Sequence, residues 1–184
     1  MILVINTSGT GIDLVLDDKF THVDVEKQAI DLPVAVENFL HNNGADWSDI
    51  TAIGVVVGPG SFTGIRIGIA YAKGLSIGLN IPIIPINAFE LYLAETPNAF
   101  VAIESGRGDF FVATPDMAPS IMDIDDVERR QMAYPQTVGH KPFDLKLGID
   151  IVRKKLENGN TESVIPMYLR PSYAEEKQHP ETKE

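Results

Sequence analysis

Gly58-Pro59-Gly60-Ser61-Phe62-Thr63-Gly64-Ile65-Arg66-Ile67-Gly68 joins an apolar run to a helix, and the fold turns on how this joint is read. The run before it, from Thr51 to Val57, is short, β-branched and uncharged, the pattern of a strand buried on both faces. The stretch after it reaches about Leu79 with only Arg66 and Lys73 charged. Gly60, Gly64, Gly68, Ala72 and Ser76 recur at every fourth place, which on a helix aligns them on one side where a neighbouring backbone can come close. Each helical glycine costs roughly 1 kcal/mol against alanine, so a helix holding Gly64, Gly68, Gly74 and Gly78 needs strong packing to form. Gly60, Gly64 and Gly68 are the expected close-packing positions. Their neighbour is the chain's own sheet, a phosphate or a second subunit.

The phosphate reading fails on spacing. A P-loop needs G-x-x-x-x-G-K-[ST], and here the interval from Gly58 to Gly64 is too long and no lysine follows. A dinucleotide fingerprint needs G-x-G-x-x-G, whereas this joint reads G-x-G-x-x-x-G. The nucleophile elbow G-x-S-x-G fails around Ser61 as well. What remains is the general affinity of helix-start amides for an anion.

A chain of 184 residues with 44% hydrophobic content suits one large or two small domains with a real core. No apolar run is long enough for a bilayer, and a strand pattern begins at Met1 without a basic leader. With no cysteine, disulfides, thiolate zinc sites and thiol catalysis are excluded, and a cytoplasmic setting is expected. The net charge is −11. Only Lys19, Lys27, Arg66 and Lys73 are basic in the first hundred residues, so that part should repel a polyanion, and strong direct nucleic-acid binding is not expected.

In chain order, Met1–Asn6, Ile12–Leu16 and Phe20–Val25 read as strands joined by tight turns, an antiparallel meander. A helix capped by Asp31 follows, with Leu32, Val36, Phe39 and Leu40 as its apolar stripe and Asn43-Gly44 at its end. After the joint come a strand at Ile81–Ile86 and a helix capped by Asn87, with Glu90 placed for a capping box. The order βββαβαβα describes an α/β lobe of the ribonuclease H-like or actin-like (ASKHA) kind, here residues 1–97. A shortened second α/β lobe is expected over residues 98–174. It starts with a hairpin from Phe100–Glu104 and Asp109–Thr114, continues through a poorly periodic stretch to Pro142, and has a helix marked by Leu145, Ile149, Val152 and Leu156. Val164 to Arg170 is a last strand or strap, and the charged residues 175–184 are expected to be a disordered tail.

Catalytic groups are hard to assemble. His22, His41, His140 and His179 lie far apart, none at metal-ligand spacing with another. Asn6 ends the first strand, where actin-fold enzymes place an aspartate for magnesium-bound water, and a neutral amide can neither balance a divalent cation nor act as base. Asp123-Ile124-Asp125-Asp126 reads as a solvated acidic loop. Arg66 is the most conspicuous single charge, placed either to clamp an acid of a partner or a phosphate or to snorkel along the helix flank.

Residues 2–8, the Gly58–Gly68 block, Ala72-Lys73-Gly74-Leu75 before Ile81-Pro82, Gly106-Arg107-Gly108-Asp109-Phe110-Phe111 and Pro166-Met167-Tyr168-Leu169-Arg170-Pro171 together closely resemble the TsaB (YeaZ) family, bacterial proteins of tRNA threonylcarbamoyladenosine biosynthesis. The resemblance implies a cytoplasmic, non-catalytic scaffolding subunit with no resident cofactor, save weak nucleotide binding at a subunit interface. Its implied partners are the catalytic paralogue TsaD, which carries a metal-binding histidine pair, and the ATPase TsaE, with homodimers formed when it is alone. Pairing through the first two helices implies Leu32, Val36, Phe39, Phe62, Ile65, Arg66, Ile69 and Ala72 as the partner interface. The other readings are an actin-fold ATPase or kinase and a glycoprotease-like peptidase. The family commonly has aspartate where Asn6 stands, and its second lobe is usually longer.

Overall fold

The computed structural model describes residues 1–159 and 162–170, so the expected tail over residues 175–184 lies outside the described residues. Strands β1 (Ile2–Asn6), β2 (Ile12–Leu16) and β3 (Lys19–Val23) form the antiparallel meander. Helix α1 (Gln28–Asn42), strand β4 (Ala52–Gly58), helix α2 (Phe62–Leu79), strand β5 (Ile83–Asn87) and helix α3 (Ala88–Glu95) complete the expected βββαβαβα order. The sheet runs β3-β2-β1-β4-β5, with β4 parallel to both β1 and β5. Strand β4 is buried along its whole length, as its uncharged β-branched run requires.

Alternation along the strands feeds two cores. Leu3, Ile5, Leu14, Ile53 and Val55 pack under α1 and α2. Val4, Val56 and Ile86 point to the other face, against Leu91 of α3. Asn87 caps α3 through a reciprocal box with Glu90, each bond 2.8 Å, as the sequence spacing predicts. Helix α1 departs from expectation, because it starts at Gln28 and Asp31 sits in its first turn rather than capping it. The Gln28 side chain explains the earlier start: its amide donates to the carbonyls of Thr7, Gly9 and Gly11, tying the first turn of α1 to the β1–β2 turn.

Strands β6 (Phe100–Glu104), β7 (Asp109–Thr114) and β8 (Met117–Asp123), helix α4 (Ile124–Gln131) and strand β9 (Thr137–Val138) build a second sheet, β8-β7-β6-β9. Among the described residues it repeats the order of the first sheet without a fifth strand. Within the stretch expected to be poorly periodic, β8 is an edge strand carrying Pro119, and its half-buried residues give no clean alternation. Asp123-Ile124-Asp125-Asp126 is not a solvated loop but the start of α4: the Asp123 carboxylate accepts from the Asp126 amide at 2.8 Å. Acids in the first turn and Arg129 and Arg130 in the last complement the helix dipole.

Helix α5 (Leu147–Glu157) falls in the sequence range read as the second lobe, yet it packs on the back of the first sheet through Ile149 and Val152. The approach is close enough that a Cβ on Gly54 of β4 would lie 2.7 Å from Val152. The strap that follows crosses back between the sheets. Val164 enters the first core, the Met167 amide donates to the Val57 carbonyl at 2.8 Å, Leu169 joins the core of the second sheet, and Arg170 pairs with Asp109 at the start of β7.

Candidate functional site

The joint between β4 and α2 is closed from within the chain. Gly58 has φ +116, a conformation that favours glycine, and Ser61 caps α2 by accepting from the Gly64 amide at 3.2 Å. A Cβ on Gly60 would lie 2.5 Å from the Ser8 carbonyl oxygen. Cβ atoms on Gly64 and Gly68 would collide with the Thr7 carbonyl oxygen and the Thr7 hydroxyl respectively. The close neighbour of this glycine stripe is thus the turn after β1.

That packing fixes the rotation of α2 and corrects most of the expected interface. Leu32, Val36 and Phe39 of α1 and Ile65, Ile69 and Ala72 of α2 are buried in the chain's own core. The reason is angular: neighbours such as Gly64 and Ile65 lie about 100° apart on a helix, so both fall inside the arc a sheet covers. They cannot face opposite sides. The outward faces carry other residues, Ile30 (66% exposed) and Val34 (57%) on α1 and Ile77 (82%) on α2. Beside Ile77, a Cβ on Gly74 or Gly78 would meet nothing within 4 Å. The i, i+4 pair Ile30 and Val34 was the available sequence signal for the outward face, masked because α1 is apolar on its inner flank as well. Tyr71 of α2 is half-buried, and burial, with the charge of Glu37 on α1 adding to it, pushes its phenol up to about 12.

Phe62 and Arg66 are exposed but turn to the mouth of the cleft between the sheets. The Arg66 guanidinium lies 3.9 Å from the Phe62 ring centre and its Nε donates to the Tyr168 hydroxyl at 2.5 Å. At the end of β1, also lining the cleft, the Asn6 amide donates to Asp13 at 2.9 Å and its oxygen accepts from the Ser8 hydroxyl at 2.7 Å. Asp13 also meets His22 Nδ1 at 2.6 Å, and Asp24 meets His22 Nε2 at 3.1 Å, so the two carboxylates, Asp13 foremost, raise the His22 pKa. Burial alone would raise the Asp109 carboxyl, but the bonds from Ser105 and Arg170 outweigh it and hold it below the usual range. Among the described residues no group of three or more His, Asp or Glu side chains could hold a metal ion, and no helix is long and apolar enough to cross a membrane.

A family model described as TsaD, tRNA N6-adenosine threonylcarbamoyltransferase, matches residues 26–135, more than half of the chain. The tRNA threonylcarbamoyladenosine biosynthesis protein TsaB of Haemophilus influenzae is 36% identical over 84 residues, 41% of this chain and 35% of the relative. The chain belongs to the TsaB (YeaZ) family. The TsaB of Escherichia coli K12 is 44% identical over 52 residues, 28% of this chain and 22% of the relative. The matched stretches thus span about a third or less of the length of these TsaB relatives. YeaZ from Pseudomonas aeruginosa superimposes with a TM-score of 0.69 at 18% identity, covering 91% of this chain and 99% of that one. Together with the family model and the two sheets, this likeness gives the chain an actin-like (ASKHA) fold.

Proposed function

We propose that this chain is a non-catalytic scaffolding subunit of the machinery that makes threonylcarbamoyladenosine in tRNA, and that it pairs with a TsaD-like catalytic paralogue. The name borne by its TsaB relatives supports the process. The observation that carries the pairing is the outward faces of α1 and α2: Ile30 and Val34 stand in solvent on α1, and Ile77 does so on α2 beside the open backbone at Gly74 and Gly78. Large exposed apolar side chains on two adjacent helices suit a partner's helices, and missing Cβ atoms allow a close crossing. Alone, the same self-complementary face pairs two copies of the chain about a two-fold axis. A TsaE-like ATPase joins the assembled pair, and the whole works in the cytoplasm. With a net charge of −11, the tRNA contact falls to the partner.

The non-catalytic reading is supported by Asn6, whose amide is committed to Asp13 and Ser8 within the turn that receives the glycine stripe. The test replaces Val34 or Ile77 with aspartate and measures association by light scattering and by pull-down of a TsaD-like paralogue. Both variants are expected to lose at least tenfold in affinity while keeping the parent circular dichroism, with Ile124→Asp on α4 as an exposed control that leaves association unchanged. Unchanged pairing in the two helix-face variants sinks the proposal.

A further inference from the structure

The cleft between the two sheets encloses about 1200 Å³, and nothing in the subunit reading uses it. Six aromatic side chains reach it from different elements: Phe20 from β3, Phe62 from α2, Tyr92 from α3, Phe111 from β7, and Phe143 and Tyr168 from the segments flanking α5. Aromatic walls of this kind cover a flat apolar body well and bind it weakly unless a polar group fixes its orientation.

Arg66 is built to be that group. Phe62 and Tyr168 stack with ring centres 5.0 Å apart, the guanidinium lies over the Phe62 face, and Nε is held by the Tyr168 hydroxyl. The stack fixes the plane of the guanidinium, and the bond at Nε leaves both terminal nitrogens to other acceptors. Among the described residues no carboxylate pairs with Arg66, although the chain as a whole is strongly acidic and Arg170 across the cleft is already matched to Asp109. A planar fork with two spare donors fits a carboxylate or phosphate in two-pronged fashion. The remaining rim limits how much negative charge can enter. Asp13 and Glu104 both line the cleft; of its other arginines, Arg107 and Arg170, the latter is matched to Asp109, and the Asn6 oxygen already accepts from the Ser8 amide and hydroxyl. A polyphosphate would meet these carboxylates, whereas a single acid group can sit on Arg66 alone.

We propose that the cleft binds a small organic acid, an aromatic body lying among Phe62, Phe111 and Tyr168 with one carboxylate or phosphate held by Arg66. The site stands whether or not the outer faces of α1 and α2 carry a partner, because those faces and the cleft use different residues.

Three probes sharing one ring system test it on the full chain by calorimetry and amide chemical shifts: 2-naphthoate, 1-naphthyl phosphate and the neutral 2-naphthamide. At least one acid is expected to bind tenfold or more tighter than the amide, shifting amides at residues 62–66 and 103–111, and the tighter acid names the group the site prefers. Arg66→Gln should erase the gap between acid and amide while leaving amide binding in place, with Arg66→Lys intermediate. Ile77→Asp, on the outer face of α2, should bind as the parent does, which separates failure of this site from failure of the subunit face. Equal binding of all three probes, no binding at millimolar concentration, a gap that survives in Arg66→Gln, or magnesium ATP bound more tightly than both acids would each overturn the proposal.

Discussion

Thr7 and Gly64 lock the end of the first strand to the joint: the Thr7 hydroxyl donates to the Gly64 carbonyl at 2.7 Å, and the Thr7 carbonyl oxygen fills the place where a Cβ on residue 64 would stand. Gly64→Ala gains about 1 kcal/mol of helix propensity but must displace backbone, and overpacking of this kind costs about 1–3 kcal/mol or more. A net loss is expected in urea denaturation. Gly74→Ala, in the same helix but with open space at its Cβ, should instead stabilise the chain by up to about 1 kcal/mol. Equal effects at the two sites would contradict the packing described here.

Ile69 and Ile77 separate core from interface on a single helix. Ile69 is 5% exposed and packs under the first sheet, so an aspartate there buries a carboxylate without a partner. Ile69→Asp is expected to cost about 4 kcal/mol and to lose its cooperative unfolding transition, whereas Ile77→Asp should stay within about 0.5 kcal/mol of the parent. Comparing their thermal melts by circular dichroism decides the matter. A stable, folded Ile69→Asp chain would mean that α2 is rotated the other way.

These contrasts mark what a sequence can and cannot carry. The β4 strand and the β6–β7 hairpin were legible because uninterrupted apolar runs end at glycine turns, and both fall where their residues indicated. The face of α2 was not legible. Isoleucines at 65, 67, 69 and 77 leave it apolar all round, and only the fit of Gly64 and Gly68 onto Thr7 selects the inward side. Strand β8 hid because an edge strand with Pro119 buries too little to alternate. The Arg66–Tyr168 bond spans 102 residues of sequence, a separation no local pattern reports.

His22 makes the meander sensitive to pH. Its ring bridges Asp13 on β2 and Asp24 after β3, and those two bonds raise its pKa above the ordinary 6.5. A group whose pKa is higher folded than unfolded contributes stability that is complete below the unfolded value and disappears as pH climbs through the folded one. The ring is partly exposed, so solvent screens the effect and the change is modest. The parent's denaturation midpoint should therefore fall as the pH rises above the ordinary histidine value of about 6.5, and His22→Gln should flatten that part of the profile. An identical slope in parent and variant would assign the pH dependence to other groups.

Asn6 offers the sharpest test of why an amide stands at the end of β1. Its nitrogen donates to Asp13 at 2.9 Å while its oxygen accepts from the Ser8 amide at 3.0 Å and the Ser8 hydroxyl at 2.7 Å. Asn6→Asp keeps the acceptor and turns the donor into a second carboxylate oxygen facing Asp13. Two carboxylates at that distance cannot both ionise without cost, so the pair retains a proton to a pH well above the usual carboxylate range. Acids whose folded pKa is raised destabilise the fold above their unfolded value near 4 and cease to do so below it. The variant should therefore be about 1–3 kcal/mol less stable than the parent at pH 7, with the deficit closing as the pH falls toward about 4. His22, whose raised pKa favours a cationic ring on the far side of Asp13, relieves part of the repulsion, so the double variant Asn6→Asp/His22→Gln should lose more at pH 7 than the two single losses added together. Urea titrations of the four proteins at both pH values measure the coupling directly, and strictly additive losses would show that residues 6, 13 and 22 do not act as one network.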